Sequence, residues 1–144
     1  MAQIEWYRSR ISGPLLDRID IHVEVPEVKY EEISSRARGE TSATIRCRVE
    51  AARALQWERM AADNIYCNTQ MGPAEIEKYC ALDESGKTMM QTAIKRYGFS
   101  ARAYNRTLKV ARTIADLEQS ESIQSQHLSE AIQYRVLDRE LEIV

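Results

Sequence analysis

The 144 residues suffice for one domain, or for a small domain plus part of another, and 44% hydrophobic with 29% charged residues is the balance of an ordinary globular core. A formal net charge of −2 excludes the global basic field that marks many nucleic-acid binders, so DNA contact would need a local patch or a ring of subunits. Cys47, Cys67 and Cys80 are odd in number and lack C-x-x-C spacing, which excludes a disulfide framework or zinc site and points to a reducing, cytoplasmic setting.

No run approaches the roughly 18 apolar residues of a membrane span, and no apolar signal region opens the chain, so a soluble protein is expected. Five glycines and three prolines favour helix over sandwich or barrel. Ile4, Tyr7 and Ile11 fall at helical spacing and predict a short first helix, frayed up to about Arg10 when nothing packs on it. Met1 and Ala2 read as a cloning remnant.

The stretch GPLLDRIDIHVEV, residues 13–25, organises the chain. Pro14 suits a helix start, because its missing N–H costs nothing in a first turn. Ile19, Ile21, Val23 and Val25 then alternate with Asp20, His22 and Glu24, which predicts one β-strand closed by Pro26. Arg18 stands at the junction, where its planar fork of donors and permanent charge suit a phosphate. Residues 28–38 carry a helical turn around Tyr30–Ile33, become polar, and read as a connector ended by Gly39.

Four or five helices follow. The first starts at an N-cap Thr41 or Ser42, carries Ile45, Val49, Ala52 and Leu55 as its inward stripe, and ends near Ala62. A loop over Ile65–Met71 leads to Pro73, which opens a short helix to Tyr79. ALDESGKT, residues 81–88, ends like a phosphate-binding loop, but Ala81 stands where GxxxxGK[ST] needs glycine, and Asp83 and Glu84 would repel phosphate. The stretch is read as a helix N-terminus capped by Asp83 or Ser85. That helix runs to Arg96, with Thr88, Met89, Thr92 and Ile94 partly inward and Gly98 as its stop.

Ser100 caps the best-defined helix, residues 101–117. One broad apolar face opposes Arg102, Arg106 and Lys109. A last helix begins near Ser125, buries Leu128, Ala131 and Ile132, and ends at about Val136 before an acidic tail. His22 and His127 lie near no nucleophile and read as polar surface or strand residues.

SGPLLDRIDIHVEVP resembles the magnesium-chelatase-type AAA+ ATPases, most closely the bacterial ComM/YifB group of Mg chelatase-like competence proteins, over the chain from about Gln3 to its end. The resemblance implies a mainly α fold: a bundle of 4–5 helices of the AAA+ C-terminal lid type, preceded by one β-strand and a connector. Residues 1–40 would close the AAA+ core and residues 41–144 would form the lid. It implies that Arg18 is an arginine finger, reaching in trans the ATP of a neighbouring subunit and standing unpaired in this chain. Arg102, in the first turn of the lid helix, would be the sensor 2 arginine that reads the γ-phosphate in cis or in trans.

The Walker A, Walker B and sensor 1 segments are expected before Met1. ATP and Mg²⁺ would therefore serve the full-length protein, with no cofactor or metal held by this piece and no hydrolysis by it alone. The implied partners are subunits of a homo-oligomeric, hexameric ring, and DNA in a branch-migration or competence motor. The piece itself is expected as a monomer or weak dimer. Magnesium insertion into a porphyrin is the weaker reading, because the ComM-type match is closer. The alternative from another class is a non-enzymatic helical module that binds DNA or a partner protein through Arg102, Arg106 and Lys109.

Overall fold

The computed structural model describes Trp6 and residues 13–16, 18–30 and 39–136. Among them are a short turn of helix α1 (Gly13–Leu16) and a bundle of five helices: α2 (Ser42–Met60), α3 (Pro73–Tyr79), α4 (Glu84–Tyr97), α5 (Ala101–Leu117) and α6 (Ser125–Val136). Two 3₁₀ turns, Ala61–Asp63 and Asn68–Gln70, join α2 to α3. The mainly α expectation holds. The helix expected over residues 4–11, most of the turn at Tyr30–Ile33 and the acidic tail lie outside the described residues.

The expected β-strand is not formed. Among the described residues Ile19–Val25 is irregular, with a bend at Asp20 and no ladder beside it, and alternation alone makes no strand without a neighbour to share its hydrogen bonds. Instead, the His22 N–H donates to the carbonyl of Tyr134 on α6 at 2.9 Å, and residues 18–25 form a connector segment that runs beside α5 and α6 with Ile21, Val23 and Val25 exposed.

Each helix start is chosen by a local side chain. Thr41 Oγ1 accepts from the Thr44 N–H, Asp83 from the Gly86 N–H at 2.7 Å and Ser100 Oγ from the Ala103 N–H at 3.1 Å, each satisfying a first-turn donor that the helix leaves unpaired. Asp83 is thus a cap, as its sequence context indicates. At α6 the same role falls to an unexpected residue: His127 Nδ1 accepts the Gln124 N–H at 3.0 Å, reaching back from the third helical position as a capping-box Glu would. His127 is consequently buried, not a surface residue.

Helix ends are equally specific. Gly98 stops α4 at φ 60°, the left-handed conformation a glycine adopts without penalty. Gln119 does the same after α5 at φ 57°, and the Gln119 N–H to Asp116 carbonyl and Ser120 N–H to Ala115 carbonyl bonds complete a Schellman turn.

Helix α5 is the centre of the bundle and packs against α2, α3 and α6, while α4 packs against α6. Ala103, Thr107, Ala111 and Ala115 form an i, i+4 ridge of small, fully buried residues that lets neighbours approach closely. Leu108, Met60, Met90, Phe99, Leu128 and Ala131 fill the space around it. Thr107 offsets the burial of its hydroxyl by donating to the Ala103 carbonyl at 2.9 Å.

Two stripes differ from expectation. In α4 the buried residues are Gly86, Met90 and Ala93; Thr88 and Thr92 are exposed and return their hydroxyls to the carbonyls of Glu84 and Thr88. In α2 only Ala52 of the expected stripe is buried, joined by Gln56 and Met60. Ile45, Val49 and Leu55 are exposed: no residue of α2 before Ala52 is buried, and Leu55 borders an open recess beside Gln119 and Ser120.

Candidate functional site

The Arg18 N–H donates to the Leu15 carbonyl at 2.9 Å, which closes the turn that α1 begins. The Arg18 carbonyl accepts from the Arg106 guanidinium on α5, and the same nitrogen of Arg106 pairs with the Asp20 carboxylate. Arg135, buried on α6, donates to the Ile19 carbonyl. The connector backbone is thus held at residues 18–22 by two arginines and one main-chain bond. The Arg18 side chain is exposed and enters no ion pair with the described residues.

Arg102 occupies the second position of α5, one turn before Arg106, and is also exposed. It borders an open recess of about 310 Å³ shared with Asn105, Arg106, Lys109, Gly72 and Pro73. No carboxylate lines this recess, and its polar side chains are an amide and three cations, a donor set that suits an anion such as phosphate. Among the described residues no group of three or more His, Cys, Asp and Glu side chains converges as a metal site would require.

The basic face is less free than its sequence pattern indicates. Arg106 is committed to Asp20 and the connector, and Lys109 Nζ donates to the Thr69 carbonyl at 2.9 Å. Of the three cations, Arg102 alone has neither engagement.

Further along α5, toward its C-terminal end, lies a buried polar cluster that the sequence reading missed. Asp116 accepts both terminal nitrogens of Arg59 at 2.7 and 2.8 Å, Arg112 Nε at 3.1 Å and Asn68 Nδ2 at 2.8 Å. Arg112 uses its remaining donors on the carbonyls of Glu121 and Ser120, stapling the Schellman turn to the helix. Burial pushes the Arg112 guanidinium below its ordinary value against the opposing pull of Asp116. Only the i, i+4 spacing of Arg112 and Asp116 beside Leu108 and Ala115 hinted at it; Arg59 lies too far along the chain to be paired by pattern. With every lone pair of Asp116 occupied, the cluster reads as architecture that locks α2, the second 3₁₀ turn and α5.

Cys80 is buried and its thiol is pushed up to about 11 by desolvation, the opposite of an activated nucleophile. His127 Nε2 meets Glu118 at 2.9 Å, and that contact, with Gln126, holds the Glu118 carboxyl below its ordinary range. No helix of the described residues is long and apolar enough to cross a membrane.

Comparison with known proteins follows this geometry. The family described as magnesium chelatase, subunit ChlI C-terminal, matches residues 39–135, and the companion description magnesium chelatase, subunit ChlI, matches residues 1–33. The chain is 42% identical over 141 residues to the competence protein ComM of Haemophilus influenzae, covering 97% of this chain and 27% of that protein. YifB of Salmonella typhimurium is 42% identical over 134 residues, covering 92% and 26% respectively, and YifB of Escherichia coli is 41% identical over the same length. The chain therefore spans about a quarter of the length of these relatives.

Proposed function

The chain belongs to the magnesium chelatase subunit ChlI C-terminal family, and on that premise we propose that it is the lid region of a Mg chelatase-like AAA+ ATPase. Residues 1–40 close the nucleotide-binding core and residues 41–144 form the lid. ATP and Mg²⁺ are bound by polypeptide outside this chain, in a cytoplasmic ring of six subunits. Arg18 is the finger that reaches a neighbouring subunit's γ-phosphate, and Arg102 is the sensor that reads phosphate beside the recess at the start of α5. A finger arginine supplied from a partner stabilises charge developing on the transferring phosphoryl oxygens, an effect of about 10³–10⁵ in rate.

The observation that supports this reading is the pair of exposed, unengaged guanidiniums, one on the LLDRID turn and one on the first turn of α5, with Arg106 of the same helix holding the Arg18 carbonyl. Helix α5 packs on α2, α3 and α6, so phosphate held by Arg102 would bias the position of the whole bundle. The named role of the Haemophilus relative in competence makes DNA the proposed substrate of the ring. The rival DNA-binding module is less well supported, since two of the three cations it needs already have partners.

The test is steady-state ATP hydrolysis by the full-length polypeptide carrying Arg18→Ala or Arg102→Ala. Each should lower turnover by at least about 10³-fold and about 10-fold respectively. Wild-type turnover in Arg18→Ala removes the finger assignment, and salt-dependent DNA binding by the 144-residue chain without any ATP dependence favours the module.

A further inference from the structure

The backbone of Arg18 is fixed at both ends: its N–H by the Leu15 carbonyl and its carbonyl by Arg106. What remains free is the side chain. One terminal nitrogen of Arg106 makes this contact and also holds the Asp20 carboxylate, so a single cationic group on α5 grips the connector at two neighbouring residues. Arg106 is also the i+4 neighbour of Arg102, so the two share one face of α5. Next to it, Arg135 holds the Ile19 carbonyl and the Tyr134 carbonyl holds the His22 N–H, which ties the same connector to α6.

An ion pair as exposed as this one, with 29% of the Arg106 and 51% of the Asp20 side chain accessible, contributes little to stability. Its consequence is geometric. Any displacement of α5 moves Arg102 directly and moves the Arg18 backbone through Arg106. From this we infer that Arg106 is a positioning residue that couples the finger to the sensor helix, so that lid position sets where Arg18 points. Asp20 is its counterpart on the connector. The inference rests on the finger reading of Arg18 given above and adds a regulation that reading does not contain: a subunit's finger is presented to its neighbour only when that subunit's own lid is in the bound position.

The test uses the full-length polypeptide. Arg106→Ala and Asp20→Asn should each lower kcat by about 10- to 100-fold, the cost of a misplaced catalytic group, with KM for ATP changed less than about twofold. Arg106→Lys should recover only part of the loss. The decisive variant is Arg18→Ala/Arg106→Ala, which should be no slower than Arg18→Ala alone, because Arg106 acts only through the finger. In the 144-residue chain, Arg106→Ala should speed amide exchange at His22 while leaving amides in the middle of α5 protected. Full kcat in Arg106→Ala, or losses that multiply in the double variant, overturns the coupling while leaving the finger in place. Wild-type turnover in Arg18→Ala overturns the finger reading instead, and the coupling with it.

Discussion

Replacing Asp116 with Asn tests whether the buried polar cluster holds the bundle together. The Asp116 side chain is 1% accessible and that of Arg112 2%, so neither group can turn to water when the other is altered. Asn keeps the size but loses the charge, and its amide nitrogen cannot accept from Arg59 or Asn68. The Arg112 guanidinium then remains buried against the neutral carbonyls of Ser120 and Glu121. Removing one member of a buried pair costs about 3–5 kcal/mol, and the Coulomb attraction of two unit charges near 4 Å at an effective dielectric of about 20 is of the same size. For a chain of this length each kcal/mol is worth about 4 °C, so Asp116→Asn should lower Tm by about 12–20 °C at neutral pH. Arg59, with 22% of its side chain accessible, can relax toward solvent, and Arg59→Ala should cost about half as much. The double variant Arg112→Met/Asp116→Leu removes the stranded charge and should be more stable than Asp116→Asn alone. Circular-dichroism melts and urea titrations of the 144-residue chain decide the matter. A loss below about 1 kcal/mol in Asp116→Asn, or a double variant that is worse, refutes the reasoning.

Leu128, a fully buried core residue of α6, should cost about 2–5 kcal/mol when cut to Ala in urea titrations, whereas the same change at exposed Leu55 should cost under about 1 kcal/mol. Gln119→Gly relieves a left-handed non-glycine residue and should raise stability by about 0.5–1 kcal/mol, read as a higher urea midpoint with an unchanged slope. Glu118 is held below its ordinary value near 4.5 by His127, and Asp63 below its value near 3.8 by the Tyr79 hydroxyl. Each therefore binds fewer protons folded than unfolded, so its contribution is complete above those values and lost as pH falls through the lowered ones. Melts of Glu118→Gln between pH 7 and pH 3 should show a shallower acid limb than the parent chain.

What was legible in the sequence was local. Asp83, Ser100 and Gly98 act within one turn of where they stand, so their roles follow from neighbours three or four residues away. The alternation of Ile19–Val25 was misleading because a strand is a property of two segments, and here the connector's partners are the arginines and carbonyls of α5 and α6. The stripe Ile45, Val49 and Leu55 is apolar at helical spacing yet stays exposed, because burial along this helix follows Ala52, Gln56 and Met60 instead. Arg59 and Asp116 could not be joined from pattern across 57 positions, nor could His127 be seen as a cap, since Glu or Gln is the usual residue there. Arg18 and Arg102 stand exposed where the motif and the Ser100 cap place them. The contact of Arg106 with Arg18, across 88 positions, is the feature that only the fold supplies.

Subunit mixing tests most directly whether Arg18 works on a neighbour's nucleotide. Full-length subunits carrying Arg18→Ala are titrated with subunits that keep Arg18 but cannot bind ATP, and hydrolysis is measured across the mixing ratio. Each preparation alone should be nearly inactive, and the mixture should regain turnover where an intact Arg18 faces a neighbour's bound ATP. A mixture no faster than the sum of its separate components, with mixed rings verified, would contradict the account.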